Sequence, residues 1–136
     1  MLPIYWDICI FIRDNFMAKI LTVDDSKAIR DLMVHILTQA GHEVITAEDG
    51  VDALAIAREN TFDLALIDVN MPNMGGLSLV SKLRRMEDYQ YIPMLMVTTE
   101  TSDYKKTKAK TMGATGWLTK PFTAERLIAA VNKVSG

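Results

Sequence analysis

Cysteine is nearly absent from this chain, which has a single one, Cys9, among 136 residues. One cysteine cannot form an internal disulfide, and the composition fits a reducing cytoplasm. A large excess of basic residues is also missing, because the formal net charge is −2 and charged residues make up 24% of the chain. Nucleic acid is therefore not an expected partner, since proteins that bind it usually carry a basic surface.

No apolar run is long enough to cross a bilayer, which takes about 20 apolar residues. The most apolar segment, residues 1–16, is interrupted by Asp7 and Arg13 and lacks the basic start and small-residue cleavage site of a signal peptide. We interpret it as an N-terminal extension of unknown role, because Met17 lies just before the first predicted strand and would itself be a start. Residues 17–136 then form one domain, and an exposed apolar extension predicts self-association.

Short apolar runs alternate with helical patterns from Lys19 onward, which is typical of βαβ units and a parallel sheet. The third and fourth runs are almost continuously apolar, as expected for central strands that are covered on both faces. The predicted strands are Ile20–Asp24, Glu43–Ala47, Asp63–Asp68, Pro93–Thr98 and Thr115–Thr119. The sequence thus predicts an α/β fold of five strand–helix repeats.

Apolar residues at helical spacing predict one helix after each strand. The predicted apolar positions are Ile29, Leu32, Met33, Ile36, Leu37 and Ala40 in the first helix, Val51, Leu54 and Ala55 in the second, Leu77, Val80 and Leu83 in the third, and Leu127, Ile128, Val131 and Val134 in the last, which Thr123 caps. The fourth helix, Ser102 to Met112, is rich in lysine and poor in large apolar residues. We expect it to be weakly anchored, with solvated lysines, and we expect His35 and His42 at the surface.

Polar residues lie where four predicted strands end: Asp24-Asp25, Asp68, Thr98 and Lys120. The carboxyl ends of parallel strands line a common crevice, so these side chains are expected to converge. Crowded carboxylates resist ionisation unless a cation compensates them, and an oxygen-rich acidic cluster suits a hard cation such as Mg²⁺. Each residue alone would be a cap, a turn residue or a solvated lysine. Together they predict a site for phosphate and metal chemistry.

Four motifs at these strand ends carry a family resemblance. They are Val23-Asp24-Asp25, the segment from Ile67 to Gly76, Val97-Thr98 and Lys120-Pro121-Phe122. In order, spacing and position, they resemble the receiver domain of bacterial two-component response regulators, and the segment after Asp68 is similar to that of stand-alone, CheY-like chemotaxis regulators. The resemblance covers about residues 18–136. It implies a flavodoxin-like, doubly wound (βα)5 sandwich with a five-stranded parallel sheet of order 2-1-3-4-5.

The resemblance implies that Asp68 is the phosphoacceptor, which attacks the phosphorus of a phosphohistidine on a partner histidine kinase. Asp25 and Asp68 would hold Mg²⁺ directly, together with the main-chain carbonyl of Asn70, and Asp24 would act through water or orient the other ligands. Mg²⁺ keeps several waters, which is consistent with so few protein ligands. Phosphoryl transfer needs this kind of positioning and charge neutralisation more than elaborate covalent chemistry.

Two further residues are assigned to the phosphoryl group by the same resemblance. Lys120 would pair with it as a point charge, aimed by a cis Lys120–Pro121 bond, and Thr98 would donate its hydroxyl to a phosphoryl oxygen. Signalling in the family runs from Thr98 to an aromatic residue on the fifth strand, which is Trp117 here and is usually Tyr or Phe. An indole is larger and its N–H needs a partner when buried, so a switching role and simple packing both stay open for Trp117.

Three residues beside the site would modulate hydrolysis of the acyl phosphate. Thr99 stands where the family often has alanine or glycine. The larger threonine narrows access to the phosphoryl group, which predicts slower phosphoryl transfer and hydrolysis. Asn70 and Glu100 match the residue types found at these positions in chemotaxis regulators that hydrolyse their acyl phosphate fast, and they could orient a hydrolytic water. The two signals oppose each other, so the sequence predicts no lifetime for the phosphoryl group.

The function implied is that of a single-domain response regulator, which catalyses its own phosphorylation and dephosphorylation but is not a turnover enzyme. Its output would be phosphorylation-dependent binding of a protein to the face of the fourth helix, fifth strand and fifth helix. The leading target is a flagellar motor switch component, and the location is cytoplasmic. A phosphorelay intermediate that passes its phosphoryl group to a histidine phosphotransfer protein is an alternative. A small-phosphoester phosphatase is disfavoured, because the residue two after Asp68 is Asn70 rather than a second carboxylate.

Overall fold

The computed structural model describes residues 17–135, which fold around one five-stranded parallel sheet. The strand order is β2-β1-β3-β4-β5, so the predicted fold class and order 2-1-3-4-5 are confirmed. In chain order the elements are β1 (Lys19–Val23), α1 (Lys27–Gln39), β2 (Glu43–Ala47), α2 (Gly50–Glu59), β3 (Leu64–Ile67), α3 (Gly76–Arg84), a 3₁₀ turn (Glu87–Tyr89), β4 (Met94–Thr98), α4 (Asp103–Met112), β5 (Gly116–Thr119) and α5 (Ala124–Ser135). The predictions for residues 1–16 lie outside the described residues.

The predicted strands agree with these elements to within one residue at each end. Asp24 and Asp68 each follow the last residue of a strand rather than ending it. Their side chains are therefore not bound by the alternation between the two faces of the sheet that holds within a strand. Every residue of β3 and β4 is buried, which confirms that the central strands are covered on both faces. One apolar core lies between the sheet and α2, α3 and α4, and a second lies between the sheet and helices α1 and α5.

The predicted apolar stripes are partly wrong in the first two helices. In α1 the buried residues are Met33, Ile36 and Leu37, whereas Leu32 is 42% exposed. In α2 the buried residues are Gly50, Ala53, Leu54 and Ala57, whereas Val51 is 53% exposed and Ala55 is also exposed. The buried positions follow i, i+3, i+4 and i+7 spacing, and a residue one position away is turned by about 100° and lies at the edge of that face or beyond it.

Helix α4 is held to the sheet by little apolar surface, as predicted. Of its residues, Asp103 to Met112, Ala109 is the buried one. Its C-terminal end is held differently, because Gly113 takes a left-handed conformation with φ 110° and its carbonyl accepts hydrogen bonds from Arg84 Nε at 3.0 Å and Nη2 at 2.7 Å. At the start of α5, Thr123 Oγ1 accepts from Arg126 N at 3.1 Å, which confirms the predicted cap.

The prediction that both histidines lie at the surface is wrong for His42. His35 is exposed, but His42 is buried and its Nδ1 accepts a hydrogen bond at 3.1 Å from the main-chain N–H of Ala18, just before β1. Parallel pairing of β1 with β2 brings the residue before each strand together, which the helical pattern around His42 does not reveal. Burial lowers the pKa of His42 below its ordinary value. Within residues 17–135, no helix is long and apolar enough to cross a membrane.

Candidate functional site

The carboxyl ends of β1, β3, β4 and β5 bring five predicted polar residues to one edge of the sheet. Asp24 and Asp25 follow β1, Asp68 follows β3, Thr98 ends β4 and Lys120 follows β5. One carboxylate oxygen from each of the three aspartates lies within 4.8 Å of those from the other two. Such an oxygen-rich group fits a hard divalent cation, because carboxylates at this spacing repel each other unless positive charge lies between them.

Lys120 provides part of that positive charge. Its Nζ donates to Asp24 Oδ2 at 2.6 Å and to Asp68 Oδ2 at 3.0 Å. The Lys120 side chain is 12% exposed and that of Asp24 is fully buried, so the pair is poorly screened by water. Burial alone would lower the pKa of Lys120, but the hydrogen bonds and charges of Asp24 and Asp68 outweigh it and raise that pKa above its ordinary value. The ammonium therefore stays charged. The Lys120–Pro121 bond is cis, as predicted.

Asp24 is fixed by groups that the sequence analysis did not select. The main-chain N–H of Ser26 donates to Asp24 Oδ1 at 2.9 Å, and Arg30 Nη1 donates to the Asp24 main-chain oxygen at 2.6 Å. Ser26 is also the N-cap of α1, where its Oγ accepts from Ile29 N. The order Asp-x-Ser before a helix was a readable signal for this turn, because an aspartate often accepts from the N–H two residues later.

Asp25 differs from the other two carboxylates. It is exposed, and among residues 17–135 its side chain makes no hydrogen bond or ion pair. Both oxygens of Asp24 accept short hydrogen bonds, from Ser26 N and from Lys120, whereas Asp68 Oδ1 accepts a long one, from Asn70 N at 3.4 Å. The donor set thus fits a metal that is bound directly by Asp25 and Asp68 and more remotely by Asp24.

The segment after Asp68 is packed against it by a glycine. The N–H of Gly76, the first residue of α3, donates to the Val69 carbonyl at 2.9 Å. A Cβ at Gly76 would lie 1.9 Å from the Asp68 main-chain oxygen, a distance that no side chain can occupy. Glycine is required here for close approach of two backbones, not for an unusual backbone angle.

The same loop is attached to α2 by a pair that the sequence analysis missed. Asn73 has a left-handed backbone, with φ 67°, and its Nδ2 donates to Asp49 Oδ2 at 2.8 Å. Asp49 caps α2 by accepting from Asp52 N at 2.8 Å. The backbone N–H of Asp52 and the Asn73 amide hold the pKa of Asp49 below its ordinary value. No local pattern reveals this contact, because the two side chains are 24 residues apart.

Asn70, Glu100 and Lys105 form a cluster at the mouth of the site. Asn70 Nδ2 donates to Glu100 Oε2 at 3.4 Å, Lys105 Nζ lies 3.6 Å from the same Glu100 oxygen, and it donates to Asn70 Oδ1 at 3.5 Å. Glu100 Oε1 accepts from Ser102 N at 3.2 Å. Hydrogen bonds from Asn70 and Ser102, with the charge of Lys105, lower the pKa of Glu100. Lys105 is therefore not the freely solvated lysine that its helix pattern predicts.

The two threonines at the end of β4 face different environments. Thr98 is fully buried, and its Oγ1 accepts from Glu100 N at 3.2 Å, which leaves its hydroxyl hydrogen free to donate. Thr99 is exposed beside it. Thr98 is the last residue of β4, and Thr99 lies in the bend that follows it.

Trp117 lies on β5, at the edge strand of the sheet, and is half-buried. Its Nε1 is buried without a hydrogen-bond partner among the described residues. Lys106 of α4 places its Nζ 5.9 Å from the centre of the indole ring, within range of a cation–π contact. Grooves of about 280 and 360 Å³ flank Trp117 on its α4 and α5 sides.

The comparisons with known proteins agree with this geometry. The family model of the response regulator receiver domain matches residues 20–132. Protein PilH of Pseudomonas aeruginosa is 36% identical over 118 residues, which are 87% of this chain and 98% of PilH. The chemotaxis protein CheY homolog of Campylobacter jejuni is 39% identical over 120 residues, which are 87% of this chain and 92% of that protein.

Solved structures give the same result. The structure of chemotaxis protein CheY4 from Vibrio cholerae matches with a TM-score of 0.85 at 50% sequence identity, covering 88% of this chain and 99% of CheY4. The family model spans most of the described residues, and the relatives are matched over nearly their whole length. The chain therefore belongs to the response regulator receiver domain family.

Proposed function

We propose that this protein is a two-component response regulator that accepts a phosphoryl group from a histidine kinase on Asp68. The observation that carries the proposal is the position of Lys120, whose ammonium joins Asp68 to the buried Asp24 at the edge of the acidic cluster. A charged donor next to a carboxylate nucleophile is what an incoming phosphoryl dianion requires.

In the proposed step, a carboxylate oxygen of Asp68 attacks the phosphorus of the phosphohistidine. The new P–O bond forms as the P–N bond breaks, giving an acyl phosphate on Asp68, and the histidine nitrogen retains the electron pair and takes up a proton. Lys120 balances charge on the phosphoryl oxygens, and the hydroxyl of Thr98 donates to one of them. The result is a signalling regulator that is modified once per signal, not an enzyme that turns over a free substrate.

Mg²⁺ is the proposed cofactor. The carboxylates of Asp25 and Asp68 and the main-chain carbonyl of Asn70 would hold it, with Asp24 acting through water or orienting the others. When bound, Mg²⁺ neutralises the phosphoryl oxygens during transfer. Support comes from the acidic cluster, in which the Asp25 side chain has no partner among the described residues.

Loss of the phosphoryl group is proposed to depend on residues at the mouth of the site. Asn70 and Glu100 would orient a hydrolytic water, and Thr99 would narrow its access. Support comes from their positions: Asn70 is exposed two residues after Asp68, Glu100 is half-buried and accepts a hydrogen bond from Asn70, and Thr99 is exposed directly after Thr98. A Thr99→Ala variant would then transfer and lose the phosphoryl group faster than the natural chain.

The output is proposed to be protein binding at the face formed by α4, β5 and α5, which includes Trp117 and its flanking grooves. Relatives that are named chemotaxis proteins favour a flagellar motor switch component as the target, in the cytoplasm. We place the receiver unit at residues 17–136 and treat residues 1–16 as an extension. Sedimentation of the full chain and of a chain that starts at Met17 would show whether the extension causes self-association.

Intact mass after incubation with acetyl phosphate tests the proposal. One phosphoryl adduct is expected on the natural chain with Mg²⁺, and none is expected on Asp68→Asn or without Mg²⁺. Absence of an adduct under all conditions would reject the phosphoacceptor role. Rapid return of the phosphoryl group to a histidine phosphotransfer protein would instead identify a relay intermediate.

A further inference from the structure

Lys105 makes contacts that distinguish it from the other lysines of α4. Its Nζ lies 3.5 Å from Asn70 Oδ1 and 3.6 Å from Glu100 Oε2, so one ammonium contacts residues that follow two different strands. Lys106 instead lies over Trp117, and Lys108 lies over Tyr104. Lys105 is 38% exposed, and Glu100 is 21% exposed, so this contact is partly shielded from water.

The contact connects the start of α4 to the site. Ser102 caps α4 by accepting from Lys105 N at 3.3 Å, and the N–H of Ser102 donates to Glu100 at 3.2 Å. Helix α4 buries little apolar surface, and its far end is held by Arg84 at Gly113. The position of its first turn therefore depends on these polar contacts, and the side chains of Asn70 and Glu100 depend on them in turn.

We propose that Lys105 is a positioning residue for hydrolysis of the acyl phosphate, which holds the side chains of Asn70 and Glu100 in one arrangement. The proposal rests on the proposed function, because it requires a phosphoryl group on Asp68. Without the ammonium, Asn70 keeps its hydrogen bond of 3.4 Å to Glu100, and Glu100 keeps that bond and the one from Ser102 N on its other oxygen, so each side chain loses one restraint and gains freedom to rotate. A hydrolytic water would then be oriented for less of the time, so the phosphoryl group would persist longer.

The expected effect is moderate. A partly exposed ion pair with one further hydrogen bond changes an equilibrium between side-chain arrangements by about two- to fivefold, so hydrolysis slows by about that factor in Lys105→Met. Lysine and methionine have similar helix propensity and similar length, so the change removes the charge and leaves α4 intact. Lys105→Arg keeps the charge and a donor, and it is expected to restore most of the rate. Added salt should slow the natural chain towards the variant, because it screens the pair.

The test compares the natural chain with Lys105→Met, Lys105→Arg and the control Lys108→Met, which removes the same charge from the same helix away from the site. The first readout is the rate at which the phosphorylated form, prepared with acetyl phosphate and Mg²⁺, loses its adduct. The second is the ¹⁵N–¹H signal of the Asn70 side-chain amide in metal-free protein, which should shift in Lys105→Met and not in Lys108→Met.

Slower loss in Lys105→Met alone, with a shifted Asn70 amide, supports the proposal. Equal rates in all four proteins, faster loss in Lys105→Met, or equal slowing in Lys108→Met would overturn it. Failure of the proposed function is seen separately, as absence of any adduct on the natural chain. An unchanged Asn70 amide would reject the contact whatever the kinetics.

Discussion

The α-carbon of Gly76 packs against the main chain of Asp68, and a Cβ at that position would lie 1.9 Å from the Asp68 carbonyl oxygen. The first turn of α3 therefore sits directly behind the proposed phosphoacceptor. A hydrogen bond holds the same two segments together, because Gly76 N donates to the Val69 carbonyl at 2.9 Å.

Gly76→Ala is expected to destabilise the fold by at least about 3 kcal/mol, which is the upper range for overpacking. Alanine would favour a helix over glycine by roughly 0.5–1 kcal/mol, too little to offset the clash with backbone. Urea denaturation measures the change. Gly75→Ala is the control, because its nearest contact is Val69 O at 3.2 Å, which a small shift relieves. Equal losses in the two variants would show that close approach at Asp68 is not the cause.

Lys120→Met is expected to cost about 3–5 kcal/mol of stability in metal-free protein, because it leaves the fully buried Asp24 without its cation. The control is Lys27→Met, which breaks the exposed pair with Asp31 at 2.8 Å and should cost no more than about 0.5 kcal/mol. Urea denaturation with and without Mg²⁺ measures both. Mg²⁺ should reduce the difference in stability between Lys120→Met and the natural chain, and it should leave the difference between Lys27→Met and the natural chain unchanged. A loss as small as that of Lys27→Met would contradict the compensating role of Lys120.

Mg²⁺ is expected to stabilise the natural chain, by about 2.7 kcal/mol when its concentration is 100 times the dissociation constant. Asp25→Asn should abolish this gain. The metal-free variant should be at least as stable as the natural chain, because one of three mutually repelling carboxylates is removed. Thermal unfolding with and without Mg²⁺ measures both effects, and Asp31→Asn, at an exposed site on α1, is the control. An undiminished Mg²⁺ effect in Asp25→Asn would place the metal elsewhere.

Trp117→Phe is expected to leave stability unchanged or to raise it. The smaller ring loses roughly 1 kcal/mol of apolar burial, whereas the buried Nε1–H without a partner costs about 1–3 kcal/mol. The matched comparison is Tyr89→Phe, since the Tyr89 hydroxyl lies within hydrogen-bond distance of Ala57 O, at 2.7 Å, and of Asn60 O, and its removal takes the donor away from both acceptors. Urea denaturation should show a loss in Tyr89→Phe only. A clear loss in Trp117→Phe would mean that the indole N–H has a partner in solution.

The sheet and the acidic edge could be predicted from sequence because they depend on local patterns. Buried strands show as apolar runs, and their polar ends must meet once the strands are parallel, which placed Asp24, Asp68 and Lys120 together. The strand order itself came from the family resemblance, since apolar runs do not state which strands are neighbours. Burial of Leu32 was wrongly predicted, because a stripe of six apolar residues is wider than the face that α1 buries.

The contacts that the sequence did not reveal join loops that are distant in the chain. Asn73 and Asp49 are 24 residues apart, and Lys105 and Asn70 are 35 residues apart. A lysine at a helix start looks the same in sequence whether it is solvated or lies over a site. The difference depends on where the first turn of α4 lies, and the contacts at the two ends of the helix are the Ser102 cap and the hydrogen bond of Arg84 to Gly113.

His42 makes stability depend on pH near neutrality. Its pKa in the folded state is lowered by burial, so between that value and the ordinary value of 6.5 the unfolded chain binds the proton more readily. Its contribution to stability is therefore fully present above pH 6.5 and is lost as the pH falls through the folded value. His42→Asn keeps an acceptor for Ala18 N and cannot titrate, so its stability should vary less between pH 7.5 and 5.5. Urea denaturation across this range, with the exposed His35→Asn as control, measures the difference. Protonated His42 has no free Nδ1 to accept from Ala18 N, so its protonation breaks this hydrogen bond. If stability depended on pH equally in all three proteins, this hydrogen bond would not hold the start of β1.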